Sequence, residues 1–256
     1  MEMKASERQN RILDMLQANG RVDIAQLSED LGVSTVTIRA DLNRLENAQL
    51  LRRVRGGAVA AFTGRYDASA DVLTPPNLRQ KERIVTEALK LVFNGQTIFL
   101  SSGTTAELLA ARIPATITDL VVATNSINVA RILADHPGVS VIVTGGTLRS
   151  KVNSLVAPLG DVLLREINAD LGLLSASGVD VDRGFTNASW AEAEVAKAMV
   201  RAAKRVVFLA DHSKIGHIAS ARIVGLGEAN GLITDSGAPS DFLRGAREKG
   251  LDIITA

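Results

Sequence analysis

Five polar clusters in the chain combine residue types that bind anions. They are Ser101-Ser102-Gly103-Thr104-Thr105, Thr124-Asn125-Ser126, Thr144-Gly145-Gly146-Thr147-Leu148-Arg149, Ser177-Gly178 followed by Gly184-Phe185-Thr186, and Asp211-His212-Ser213-Lys214. Each follows a short apolar run. Gly103 allows close backbone approach, and a helix opening after it offers free N–H groups to an anion. The suggested chemistry is a phosphate held by N–H groups, hydroxyls and Lys214 or Arg149, with Asn125 and Asp211 reading sugar hydroxyls. Taken singly, each cluster has a structural explanation: Ser and Thr cap helices, Gly-Gly makes turns, and Asp-x-x-Lys forms surface pairs. Their shared position at strand ends favours binding.

A second set points to nucleic acid. In GVSTVTIRADLNRL, Gly32 to Leu45, Ser34 is placed to cap a helix and Val33 to staple onto Ile38. Ile38, Leu42 and Leu45 mark one buried face, leaving Thr35, Thr37, Arg39 and Arg44 on other faces. The basic run Leu51-Arg52-Arg53-Val54-Arg55-Gly56-Gly57 reads as a hairpin that lays cations against phosphates or a minor groove. A small helix with a polar front edge, backed by another helix, suits the major groove.

The elements that must position these groups follow from periodicity. Ser6 with Gln9, and Asp23 with Gln26, fit capping boxes that open two helices before the Ser34 helix. Three short helices and a Gly-Gly hairpin make a winged helix-turn-helix over residues 1–60. Periodicity vanishes from Ala58 to Gln80, which predicts a linker over 61–80. Residues 81–256 alternate helical stretches with the apolar runs Thr97–Leu100, Leu120–Ala123, Val139–Val143, Leu171–Leu174, Val206–Ala210, Leu232–Thr234 and Asp252–Ile254. This pattern predicts an α/β domain with a mostly parallel sheet covered on both faces, and such sheets bind ligands beyond the carboxyl ends of their strands.

Composition narrows the classes. The net charge is +1, so the basic patch between Ser34 and Ala60, with five Arg against Asp41 and Glu46, is local. With no cysteine, disulfides, thiol catalysis and Cys-based metal sites are excluded. No apolar run approaches a membrane span, and a cytoplasmic protein is expected. The three histidines include His212 and His217 five apart, a spacing read as loop residues rather than metal ligands. Neither metal nor cofactor is expected.

The stretch RQNRILDMLQANGRVDIAQLSEDLGVSTVTIRADLNRLENAQLLRRVRGGAV resembles the head of the DeoR family of bacterial repressors along nearly its whole length. The motifs FLSSGTT, VVATNS, VTGGTLR, GVDVDRGFT and LADHSKIG are similar to those of that family's sensor domain, which itself resembles ribose-5-phosphate isomerase and CoA-transferase folds. The resemblance implies a repressor of sugar or carbohydrate genes that binds double-stranded operator DNA and a phosphorylated sugar or related metabolite. It implies DNA contact at Ser34, Thr35, Thr37 and Arg39, with Arg44, Arg52, Arg53 and Arg55 on the backbone. It implicates Ser102, Gly103, Thr104, Thr105, Asn125, Gly145, Gly146, Arg149, Gly178, Asp211 and Lys214 in effector binding, and adds Glu192 and Lys197. Ser101 stands where the family usually has Asp, Ala106 replaces a frequent third Thr, and His212 and Ile215 replace a common Ser and Phe. The opening helices and the tail look closest to the amino-sugar branch.

An alternative is a sugar-phosphate isomerase-like enzyme with an accessory DNA domain, in which Asp211, Glu192 and Lys214 perform acid–base chemistry. The sequence fixes the placement of no carboxylate pair, so a non-catalytic role is expected. One short recognition helix reads few base pairs, which calls for a homo-oligomer, and the resemblance implies a dimer or tetramer. The single Trp190 is expected close enough to the pocket for its fluorescence to report effector binding.

Overall fold

A computed structural model describes residues 5–19, 21–47, 51–54, 56–60, 77–156 and 159–256. The chain divides into two compact units, Met1–Ala68 and Ser69–Ala256.

In the first unit, α1 (Ala5–Asn19) leads to β1 (Arg21–Asp23), α2 (Ile24–Asp30), α3 (Thr35–Asn47), β2 (Leu51–Val54) and β3 (Gly57–Ala60). Asp23 caps α2 by accepting from Ala25 N at 2.8 Å, and Gly32 turns the chain at φ +63°. Ser34 accepts from Thr37 N at 3.1 Å, so the caps expected at Asp23 and Ser34 form. Ile12, Leu16, Leu27, Ile38, Leu42, Leu45 and Leu51 close one core. Strand β1 was not expected. It pairs with β3, giving a three-stranded antiparallel sheet of order β1-β3-β2. Gly57 is needed there because a Cβ would lie 2.0 Å from the Val22 carbonyl oxygen.

The capping box at Asp23 is only half realised, and the expected cap Ser6 lies within α1. Gln26 reaches forward to Asp30, and Gln9 donates to Asp41 at 2.8 Å. The Ser6 side chain lies outside the described residues. Asp41, counted in the sequence against the arginines of the basic patch, is buried and accepts from Arg8 Nε at 2.6 Å, clamping α3 to α1.

The second unit begins with α4 (Leu78–Leu89), earlier than residue 81, so 78–80 are helical rather than linker. Then follow β4 (Thr97–Leu100), α5 (Thr104–Ala111), β5 (Leu120–Thr124), α6 (Ile127–Leu133), β6 (Val139–Val143) and the hairpin β7 (Thr147–Arg149)–β8 (Ser154–Val156). The chain continues through α7 (Leu159–Arg165), β9 (Leu171–Ser175), β10 (Gly178–Asp180), β11 (Gly184–Asn187), α8 (Trp190–Ala202) and β12 (Val206–Leu209). It ends with β13 (Ala221–Val224), β14 (Gly231–Thr234), α9 (Ser240–Glu248) and β15 (Asp252–Thr255).

All seven apolar runs become strands of one sheet, ordered β15-β14-β12-β9-β4-β5-β6, and every pairing in it is parallel. Buried side chains of α4, α5 and α6 pack with Ile98, Leu100, Leu173 and Leu209 on one face. Those of α7, α8 and α9 pack with Phe99, Leu174 and Phe208 on the other. From β4 the chain builds outward to β6, then returns to lay β9 against the opposite side of β4. A switch point therefore lies between β4 and β9, where the carboxyl ends open a crevice. Among the described residues no helix is long and apolar enough to cross a membrane.

Candidate functional site

At the end of β4, buried Ser101 accepts a hydrogen bond from Ser175 N at 2.8 Å, tying β4 to β9 across the switch point. Its hydroxyl therefore has a structural task at the position where the resemblance expected Asp. Gly103 opens α5 at φ +129° and provides no side-chain cap for the helix N–H groups. A Cβ on Gly103 would sit 3.2 Å from Ser175 Oγ. Thr104 begins the helix half-buried and Thr105 is buried. This uncapped N-terminus points partial positive charge into the crevice.

The neighbouring strand end supports that loop. Asn125 Oδ1 accepts from Ser102 N at 3.1 Å, while its Nδ2 donates to Ser154 Oγ at 3.1 Å and to the Leu155 carbonyl at 3.2 Å. Asn125 is thus a brace between the β4 loop and β8. Gly145 and Gly146, at φ +72° and +110°, turn the chain into the hairpin, and a Cβ on Gly146 would meet the Val156 carbonyl oxygen at 2.2 Å. Arg149 stands opposite Ser154 in the hairpin register and pairs with Glu192 of α8 at 2.8 Å. The structure therefore brings Ser102, Gly103, Asn125, Arg149 and Glu192 into one connected group.

At the end of β12 lies an ionic cluster. Asp211 is 1% exposed, and its carboxylate lies 3.3 Å from Lys81 Nζ. Asp211 also accepts from Asn77 Nδ2 at 2.9 Å and from Ser213 N at 3.1 Å. Burial acts to raise the Asp211 carboxyl, but Ser213, Lys81, Asn77 and Lys214 together outweigh it and hold the group below the usual carboxylate range. Burial pushes the Lys214 ammonium down to about 8; Asp211 opposes that shift and Lys81 adds to it. The 3-10 turn His212–Lys214 is anchored by Asp235, which accepts from His212 N at 2.7 Å and lies 2.9 Å from His212 Nδ1.

Gly178 and Lys197 have packing and pairing partners of their own. Gly178 is explained by packing, because a Cβ there would meet the His217 carbonyl oxygen at 2.3 Å. Lys197 pairs with Glu194 at 2.7 Å and lies 5.9 Å over the Trp190 ring. Five residues along a helix turn through about 140°, so Lys197 and Glu192 occupy different faces of α8. Trp190, at the start of α8, is 65% exposed. Among the described residues, no group of three His, Asp or Glu side chains is placed to hold a metal ion.

The sequence reading missed Lys81, Asn77, Ser154 and Ser175. Lys81 had a visible signal: with Ile84, Val85 and Ala88 it forms the buried stripe of α4 at spacing i, i+3, i+4, i+7. A lysine on such a stripe needs a buried partner.

On α3, Ser34 Oγ and Thr37 Oγ1 share a hydrogen bond of 2.9 Å, while Thr35, Arg39 and Arg44 are exposed. Arg53 is half-buried, with Nη1 donating to Asn43 Oδ1 and its backbone N donating to Glu46 Oε1 at 2.8 Å, so it braces the wing to α3. Arg55 and the side chain of Arg52 lie outside the described residues.

A winged helix-turn-helix, together with a parallel α/β unit carrying donors and an ionic cluster at its strand ends, defines a class of two-part transcription regulators. The chain matches the DeoR-like helix-turn-helix domain over residues 8–63 and the DeoR C terminal sensor domain over residues 76–236. It belongs to the DeoR family. It is 34% identical to the HTH-type transcriptional regulator GolR of Listeria innocua, over 98% of either chain. It is 30% identical to the glycerol-3-phosphate regulon repressor of Escherichia coli, covering 94% of this chain and 95% of that one. Ribose 5-phosphate isomerase A of Methanocaldococcus jannaschii aligns with 53% of each chain at 19% identity and a TM-score of 0.38.

Proposed function

We propose that this chain is a DNA-binding repressor of sugar or carbohydrate genes, whose operator affinity is set by a phosphorylated sugar or related metabolite in the sensor unit. The observation that carries this reading is the placing of Lys81 and Lys214 about one carboxylate, Asp211, at the carboxyl end of β12. Two ammonium groups that repel each other in a buried site are stabilised by an added anion. The N-terminus of α5, opening from β4 on the other side of β9, adds donors for the same charge. The relative named as a glycerol-3-phosphate regulon repressor is consistent with a phosphorylated effector.

A binding role is favoured over catalysis. Asp211, the obvious candidate base, is held below the usual carboxylate range by four neighbours, and a carboxylate so stabilised is a poor proton acceptor. The head reads operator DNA through α3, and two or more copies assemble so that repeated half-sites are read together, in the cytoplasm where the DNA lies. Effector binding acts by favouring one of two arrangements with unequal operator affinity.

The test is fluorescence anisotropy on the DNA upstream of the gene, at fixed salt, across a panel of sugar phosphates. One compound is expected to change operator affinity. Specific DNA binding that no phosphorylated compound alters overturns the sensing half of the proposal, and no specific DNA binding overturns all of it.

A further inference from the structure

Ser175 ends β9 at the switch point, and its Oγ is buried with no hydrogen-bond partner among the described residues. An unpaired buried hydroxyl is costly, and native structures rarely keep one without a use. The backbone around it is well satisfied: Ser175 N donates to Ser101 Oγ at 2.8 Å, so the residue is held in place. Strand alternation puts Ser175 on the same face as Leu173, whose side chain joins the core beneath α4 and α5. The β9–β12 register pairs Ser175 with Leu209, and Asp211 follows two residues later, just past the end of β12. At ordinary sheet spacings the separation is roughly 5 Å across and 7 Å along. Gly103, the N-cap of α5, lies beside Ser175 Oγ, and a Cβ there would sit 3.2 Å from that oxygen. The residue as a whole is only half-buried. Thr234 Oγ1 is also unpartnered, but it is wholly enclosed and lies two strands away on β14.

We propose that Ser175 is a ligand-contact residue of the sensor, donating its hydroxyl to an oxygen of the bound phosphorylated metabolite between the Gly103 loop and the Asp211–Lys214 turn. This rests on the reading of the sensor as a phosphorylated-metabolite site. It adds a residue that carries specificity without supporting the fold. The oxygen belongs either to the phosphate or to the adjoining sugar, and the experiment separates the two.

The test compares full-length wild type and Ser175→Ala by calorimetric titration with inorganic phosphate, glycerol 3-phosphate, ribose 5-phosphate and glucose 6-phosphate, alongside the melting temperature of each protein alone. Removing an orphaned hydroxyl leaves the unliganded melting temperature unchanged or higher, whereas a structural hydroxyl lowers it. Affinity for the phosphorylated compounds the wild type binds is expected to fall about tenfold, as for a lost hydrogen bond to a charged or sugar oxygen. Weakening of inorganic phosphate as well assigns the contact to the phosphate; weakening of sugar phosphates alone assigns it to the sugar. Unchanged affinity for every compound the wild type binds overturns the proposal, as does a lower melting temperature with affinity retained. Failure of the wild type to bind any of the four overturns the underlying reading itself.

Discussion

Lys81 Nζ lies 3.3 Å from the Asp211 carboxylate, and the two side chains are 2% and 1% exposed. The pair joins the first helix of the sensor unit to the strand end carrying the DHSK motif, and Asn77, at φ +59°, adds a second bond from the start of that helix. A buried pair of this kind is expensive to break from one side only, because the remaining charge is stranded.

Lys81→Met is therefore expected to lower the stability of the sensor unit by about 3–5 kcal/mol, the usual loss when one partner of a buried pair is removed. Adding Asp211→Leu should recover most of that loss, since no charge is then left buried. Urea unfolding of the two variants checks both statements, and a double variant no better than the single one would count against the pairing.

The proposed role of Lys214 gives effector binding a pH dependence. Its ammonium titrates at about 8, and a bound phosphate prefers the protonated form. Affinity is expected to hold near pH 7 and to fall above about 8, by up to ~10-fold per pH unit. Lys214→Arg should remain flat across the same range because its cation does not titrate there. Stability runs the other way. The folded value lies below the ordinary 10.5, so the unfolded chain binds more protons between those values, and stability rises from pH 8 towards 10.5. Titrations at pH 7, 8 and 9 check the first trend, and denaturation at the same pH values the second.

Two arginines of the head should behave differently. Arg44 is exposed, and its replacement by Ala is expected to weaken DNA binding evenly across sequences and lower the log–log salt slope by about 1. Arg53 is half-buried against Asn43 and Glu46. Arg53→Ala should therefore lower the melting temperature of the head as well as its DNA affinity, which circular dichroism alongside anisotropy will separate.

Asp41 accepts from Arg8 Nε at 2.6 Å and from Gln9 Nε2 at 2.8 Å. A head of this size has little stability to spare. Asp41→Ala should unfold the head at a temperature where the sensor unit stays folded, abolishing DNA binding while sensor-ligand titrations are unchanged. A single cooperative melt at the wild-type temperature would refute this.

Much of the architecture was legible in the chain. Apolar runs bounded by polar clusters located all seven strands of the main sheet, because a strand covered on both faces must be apolar throughout. The caps at Asp23 and Ser34 were equally visible, since a short polar side chain satisfies helix N–H groups only a few residues away. Strand β1 was not: three residues paired through Gly57 have no periodicity to detect. Asp41 and Lys81 read as charges on helices, and only packing against distant elements buried them.

By itself the sequence determined which residues can act: hydroxyls, glycines and cations at strand ends, and a capped helix with a basic wing. These are local properties, set by neighbours within a few residues. The tertiary structure decided which of them meet. It brought Lys81 to Asp211, set Asn125 as a brace, joined Arg149 to Glu192, and left Ser175 Oγ unpaired beside Gly103. Those outcomes depend on strand order and register, with the sheet's reversal between β4 and β9 placing groups far apart in sequence within a few ångströms.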